Sequence, residues 1–239
     1  MGIEERYANV AAEVAAVCRE AGRDPREVTV VAVSKTVGPA QVGSAVAAGA
    51  RDFGENRPDG LVEKAAAYPQ ANWHFIGNIQ SRRIPDIVGS AALVHSLVEE
   101  RHARKIDEAA AAAGKVQDVL LEVNVSGEQS KGGLAPGDVA ALLDACGGLA
   151  HVRVRGLMTM APQGDLDAAR ATFEGLARLH AELRADLDPS RAALFDGLSM
   201  GMSEDWREAV HAGATIVRIG RAVFDDAFEA SGPGAGNLA

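Results

Sequence analysis

Short β-branched runs alternate with longer alanine-rich stretches across residues 28–219, and this alternation constrains the fold more than any other feature of the chain. The β-branched runs are too short for helices, and the stretches between them carry apolar residues at helical spacing, which is the pattern of βαβ units on a parallel sheet. Eight strands are expected, at 28–33, 50–53, 73–76, 93–96, 119–125, 154–158, 194–198 and 215–219. Units of roughly 30 residues repeated in this way close a barrel. A chain of 239 residues that is 47% apolar fills one core of that size. The expected fold is an α/β protein with a single (β/α)8 TIM barrel, preceded by an extra N-terminal helix. An open doubly wound sheet is the rival, but it would place a glycine-rich turn after the first strand, where the chain reads Ser34-Lys35-Thr36.

Helix punctuation supports this segmentation: Pro39 and Pro136 stand near helix starts, Gly49 and Gly213 follow helical stretches, and Pro189 closes the long segment that begins near Asp167. The barrel is expected to occupy 1–230 as one domain, with the glycine-rich 231–239 as a disordered tail. A net charge of -9 without a concentrated basic face argues against a nucleic-acid partner. Cys18 and Cys146 lack the spacing of a zinc site and read as buried packing residues. The leading helix has no apolar signal region, and no run approaches the roughly 20 apolar residues that span a bilayer, so no membrane partner and a cytoplasmic location are expected.

In such a barrel, chemistry sits where strands end and the following loops begin. Side chains alternate along a strand, so Lys35 shares a face with Val33, Val31 and Thr29. If that face is the interior, the lysine enters a mostly apolar mouth, where lost hydration favours the neutral amine that attacks an aldehyde. A strand-end lysine that snorkels its ammonium to solvent is the plainer alternative. The turn Ser199-Met200-Gly201-Met202-Ser203 joins the seventh strand to a helix for which Ser203 is the expected N-cap. Gly201 allows close backbone approach and the two serine hydroxyls add donors, so a phosphate fits there, beside Gly220 after the eighth strand. The alternative is an ordinary capped helix. Arg218 lies inside an apolar strand and needs a partner, either a ligand or a neighbouring carboxylate. Asn56, Asn78 and the segment Gly156 to Met160 also fall at strand ends, with Phe53, Phe75, Met158 and Met160 readable as core packing. His74 and His95 read as satisfied strand histidines, since no paired spacing suggests a metal.

Taken in order, the blocks VAVSKT, FGEN, WHFIGNIQS, LVHSL, EVNVSGEQSKGG, GLMTMAP, LSMGMSEDW and ATIVRIG resemble the YggS/PROSC family of pyridoxal-phosphate homeostasis proteins. The resemblance implies the fold-type III barrel shared with the N-terminal domain of alanine racemase, with pyridoxal 5'-phosphate (PLP) held covalently as a Schiff base on Lys35. It also implies phosphate contacts from Ser199, Met200, Gly201, Met202, Ser203 and Gly220, with Arg218 beside the pyridine nitrogen and Asn56 and Met158 along the ring. The chain departs from the family pattern at Arg221, where a hydroxyl residue is usual, at Asp225, and at Arg57-Pro58-Asp59-Gly60 after FGEN.

The function implied is PLP binding and vitamin B6 homeostasis, with other B6 vitamers as further ligands and PLP-dependent apoenzymes as recipients. A carrier rather than an enzyme is expected, because two-base racemisation pairs the lysine with a tyrosine from a second domain. The chain ends after the barrel, and its two tyrosines, Tyr7 and Tyr68, are not obviously placed to face a cofactor. A small PLP-dependent amino-acid racemase is the alternative enzyme reading. Lacking a dimerisation domain, the chain is expected to be a monomer.

Overall fold

The computed structural model describes residues 1–128 and 132–228. The tail expected at 231–239 and three residues of the EVNVSGEQSKGG block lie outside them. Eight parallel strands form one closed barrel in sequence order, from β1 through β8 and back to β1. They are β1 (Thr29–Val33), β2 (Asp52–Glu55), β3 (Asn72–Phe75), β4 (Leu93–Leu97), β5 (Gln117–Glu122), β6 (Val152–Met158), β7 (Gly197–Ser199) and β8 (Ile216–Ile219). The helices are α1 (Ile3–Glu20), α2 (Pro39–Ala47), α3 (Pro58–Ala67), α4 (Ile84–Ser90), α5 (Glu100–Ala112), α6 (Val139–Gly147), α7 (Leu166–Asp186), α8 (Pro189–Leu194), α9 (Trp206–His211) and α10 (Arg221–Phe224).

All eight expected strands are present, with the largest displacements in the seventh and the fifth. The seventh begins at Gly197 rather than at 194, because Pro189, just past the end of the long helix, also opens a separate one, α8. Asp188 caps α8 through its carboxylate, which accepts from the Ser190 and Arg191 amides, and proline at the first helical position needs no amide bond there. The fifth strand runs from Gln117 and stops at Glu122. Beyond it, the Asn124 amide donates to the Leu134 carbonyl at 2.8 Å, and the Leu134 amide donates to the Glu122 carbonyl at 2.8 Å.

Register divides each strand into two faces. Val31 pairs with Asp52 and Arg218, Val33 with Gly54, Gly54 with His74, His74 with Leu93, and Met158 with both Glu122 and Ser199. Residues in register share a face. Their neighbours of opposite parity, such as Phe53, Trp73, Phe75 and Leu121, belong to the large apolar layer between sheet and helices. The inner face carries a much smaller apolar cluster, Val31, Val33, Leu120, Met158 and Ile216, with Ile76 and Leu93 at its edge. Much of the remaining interior is polar.

The first helix is an outer brace. Tyr7, Val10, Val14, Val17 and Cys18 fall on one stripe at helical spacing and are buried against α2, α9 and α10. Burying one such valine contributes roughly 1.5–3 kcal/mol. Arg6 donates to the Val223 carbonyl at 2.8 Å and Arg23, just past the helix, to that of Val210 at 2.9 Å, so both ends of the brace are also tied by hydrogen bonds. Both cysteines are free and buried, as expected of packing residues, and burial pushes the Cys146 thiol up to about 11.

Two places concentrate the cost of substitution. Gly156 in β6 has φ +148°, and a Cβ there would lie 1.9 Å from the Gly197 carbonyl oxygen. Gly156→Ala is expected to lose about 3 kcal/mol in urea unfolding, from backbone strain and a clash that neighbouring strand backbone cannot relieve. The buried Lys64 of α3 donates to the carboxylate of the buried Glu55 and, at 2.8 Å, to the Ser34 carbonyl. Lys64→Met leaves an uncompensated buried carboxylate and is expected to cost about 3–5 kcal/mol, whereas the double change Lys64→Met with Glu55→Gln recovers part of it. Equal losses in the single and double variants would show that the pair carries no special weight.

Candidate functional site

The turn after β1 carries Lys35, which is exposed, at the barrel end where strands terminate. Its backbone is held from behind. The Ser34 amide donates to the Gly54 carbonyl at 2.9 Å, the Ser34 hydroxyl donates to Glu55 at 3.1 Å, and Lys64 grips the Ser34 carbonyl. The expectation that Lys35 is stripped of water is therefore not met by the protein alone: the strand parity aims inward, but the residue lies past the last ladder position and meets solvent.

The turn after β7 differs from the expectation in one respect. Ser203 does not cap the next helix. Asp205 stands at the N-cap of α9, and its carboxylate accepts from the Met202 amide at 2.6 Å. Ser203 is buried, and its hydroxyl accepts from the Ala222 amide at 3.4 Å, so it links the loop after β7 to α10. Gly201 has φ +90°, and a Cβ there would sit 2.6 Å from the Ala209 Cβ and 2.9 Å from the Trp206 Cα. Only glycine fits this approach of loop to helix. Met200 turns into the outer apolar layer, Met202 is half-buried, and Gly220 opens the four-residue α10.

Arg218 is 4% exposed on the inner face of β8. Its Nη1 donates to Ser199 Oγ at 2.6 Å and its Nη2 to the Thr159 carbonyl at 2.9 Å, both neutral acceptors. Burial draws its pKa down to about 10, opposed by the charges of Asp205 and Glu122, so it stays a cation at neutral pH. Burial in turn raises both carboxyls, Glu122 against the pull of Arg218 and Asp205 against that of the Met202 amide and Arg218. The carboxylate partner allowed for Arg218 is thus present as a field at a distance, and the direct partners are neutral.

Met158 lies in the inner apolar cluster beside Ser199 in register. Asn56 is exposed just past β2, its amide donating to Glu55 at 3.2 Å. Met160 is 39% exposed rather than core, because Thr159 takes the buried position and donates to the Val123 carbonyl at 2.7 Å. Arg221, a departure from the family pattern, pairs with Glu204 at 2.8 Å and lies over the Phe228 ring at 5.1 Å. Pro58, another departure, opens α3. Lys35, Asn56, Met158, Ser199, Gly201, Ser203, Arg218 and Gly220 therefore all belong to one end of the barrel, and Met200 faces away from it.

Sequence reasoning passed over Glu122, Asp205 and the inward role of the two histidines. Strand parity was the available signal, since Gly54 pairs with His74 and both share the face of Val33. These residues suit a phosphorylated, ring-bearing aldehyde: a glycine turn packed against α9, a buried cation on neutral acceptors, and an amine at the rim.

A profile of the family described as alanine racemase, N-terminal domain, matches residues 7–227. The chain is 43% identical over 225 residues to a protein of Pseudomonas aeruginosa named pyridoxal phosphate homeostasis protein, covering 93% of this chain and 94% of the relative. A protein of the same name from Aquifex aeolicus is 36% identical over 225 residues, covering 93% and 97%. Among solved structures, PipY of Synechococcus elongatus with PLP bound superposes with a TM-score of 0.81 at 32% identity, covering 93% of this chain and 99% of PipY. An alanine racemase from Clostridium difficile, at 13% identity and a TM-score of 0.64 over 83% of this chain and 51% of the racemase, shares the fold alone. The chain belongs to the alanine racemase N-terminal domain family and, within it, to the YggS/PROSC family of pyridoxal phosphate homeostasis proteins.

Proposed function

We propose that this protein binds PLP at the strand-end mouth of its barrel and serves intracellular PLP homeostasis as a carrier. The observation that carries the reading is the buried Arg218 on neutral acceptors, at the same barrel end as the Gly201 cradle and Lys35. A guanidinium donates and cannot accept, so it holds a pyridine nitrogen unprotonated and weakens the ring as an electron sink. That suits storage better than carbanion chemistry. The names of the relatives and the PLP held by PipY support the same reading.

In this proposal the cofactor supplies an aldehyde, and Lys35 supplies the amine that attaches it covalently. Ser199, Met200, Gly201, Met202, Ser203 and Gly220 form the phosphate turns, with Met200 acting through the outer core and the others through their backbone or hydroxyls. Asn56 and Met158 flank the ring. Arg221, committed to Glu204, is outside the phosphate contacts. Residues 1–230 act as one unit, which works as a monomer in the cytoplasm and passes PLP, or other B6 vitamers, to apoenzymes. Among the described residues no helix is long and apolar enough to cross a membrane.

The tyrosines support carrier over racemase. Tyr7 is buried beneath α1, in a cleft shared with Val28, Thr29 and Asp52 at the strand starts, and burial raises its pKa. Tyr68 donates to the Pro39 carbonyl at 2.8 Å. Neither is a second base at the mouth.

Purified protein mixed with PLP is expected to gain a visible absorption band that borohydride bleaches, and Lys35→Ala to lack it; a wild type without the band would sink covalent attachment. Arg218→Leu is expected to weaken PLP binding by about 10- to 100-fold, the loss of one charge-assisted contact. Fluorescence titration reads this, with a thermal melt to separate it from unfolding. Robust amino-acid racemisation or transamination that Lys35→Ala abolishes would replace the carrier reading with an enzyme.

A further inference from the structure

Four hydrogen bonds join five strands in a line through the barrel interior. Arg218 of β8 donates to Ser199 Oγ of β7 at 2.6 Å, and Ser199 Oγ lies 2.9 Å from His95 Nδ1 of β4. His95 Nε2 lies 2.8 Å from His74 Nδ1 of β3, and His74 Nε2 lies 3.2 Å from Asp52 Oδ1 of β2. The first four residues are buried. Asp52 and His74 line a cavity of about 620 Å³ at the opposite end of the barrel, where the strands begin.

Proton inventory fixes the direction of this line. A guanidinium only donates, an ionised carboxylate only accepts, and a neutral imidazole does one of each. Burial, with the charge of His74 when protonated and that of Arg218, holds His95 well below the usual histidine range, so it is neutral. With His74 also neutral, one assignment satisfies every contact. His74 donates from Nε2 to Asp52, His95 from Nε2 to His74, Ser199 from its hydroxyl to His95, and Arg218 to Ser199. Every donor points from the mouth toward the base.

A proton added at His74 reverses half of the line. His74 then carries protons on both nitrogens, so His95 Nε2 must accept. The N–H bond at His95 Nε2 breaks and one forms at Nδ1, which donates to Ser199. Ser199 Oγ now accepts from both His95 and Arg218, and its own hydroxyl proton turns out of the line. One proton is taken up from solvent to form the new N–H bond at His74 Nδ1, and the His95 proton passes from Nε2 to Nδ1 by exchange with solvent. The charged groups around His74 are Asp52 on β2 and, sharing the basal cavity, Glu27 before β1, Asp118 on β5, Arg155 on β6 and Asp196 before β7. Asp118 and Asp196 are both paired with Arg155, which leaves Asp52 as the anion in contact with the ring.

We propose that His74 and His95 are positioning residues for the Arg218 end of the mouth, forming a polarised relay through which protonation at the base of the barrel turns the Ser199 hydroxyl at the opposite end. What the mouth holds rests on the PLP reading above, whereas the relay belongs to the protein alone.

Nitrogen-15 NMR of the histidine rings in the full chain, without added cofactor, tests the relay separately. At mildly alkaline pH both rings are expected as the Nε2–H tautomer. On acidification His74 gains its second proton over the same pH range in which His95 moves its proton from Nε2 to Nδ1. In Asp52→Asn, which can donate or accept at that end, His95 is expected to populate both tautomers already at mildly alkaline pH. A His95 that stays Nε2–H throughout the titration of His74, or that carries its proton on Nδ1 from the start, overturns the proposal.

With PLP added, the visible band of the wild type is expected to change across that same pH range. Glutamine can donate to His74 and accept from Ser199 but cannot tautomerise, so His95→Gln should form a band that no longer follows this pH change. His95→Leu, which leaves Ser199 without its acceptor, should bind about tenfold more weakly. Identical pH profiles in wild type and His95→Gln would refute the relay. Absence of any band in the wild type would refute the PLP reading and leave the NMR result standing.

Discussion

Arg218 sits inside a strand with a charge that water no longer screens, and the residues around it follow from the need to hold it there. Placing a guanidinium in a low-dielectric interior costs several kcal/mol unless its donors are met. A carboxylate in direct contact would meet them but would also cancel the charge toward a ligand. Here the direct acceptors are a hydroxyl and a backbone carbonyl, while Glu122 and Asp205 act from a distance. The cation is stabilised without being neutralised. Ser199 also meets His95, and His95 meets His74, which meets Asp52, so the buried charge is continuous with a polar line across the interior.

Barrel architecture was legible because hydrophobic period and helix punctuation are local properties. The eight strands and their order could be read from β-branched runs, and α2 from Pro39 at its first helical position. The seventh strand was displaced because Pro189 stops one helix and starts another, and both readings fit the same residue. Ser203 and Asp205 are both good caps, and choosing between them takes the Ser203 contact with Ala222, which is long-range. Met160 exchanged places with Thr159 in the same way, because the buried hydroxyl found the Val123 carbonyl just past β5.

The candidate site was legible in its parts and illegible in its connections. Lys35, Arg218 and the Ser199 to Ser203 turn stand out in the sequence as a lysine at a strand end, a charge in an apolar run and a glycine between hydroxyls. That His95 meets Ser199 across 104 positions is a product of barrel closure, and no local pattern encodes it. The family pattern is least informative at Arg221, whose guanidinium is engaged by Glu204 and Phe228 within its own loops.

The bracing of α1 against α9 and α10 bears on how the molecule is made. The first helix completes its apolar contacts only with segments near the other end of the barrel sequence, and β1 closes the ring only with β8. A nascent chain emerging from the ribosome therefore holds an unpaired strand edge and an uncovered apolar stripe until nearly all of the barrel has been synthesised. Contacts of such sequence separation are slow to form, because loop closure must precede any gain from them. Closure of the seam is thus expected late in folding, and the interval before it is when the chain is most exposed to aggregation and proteolysis.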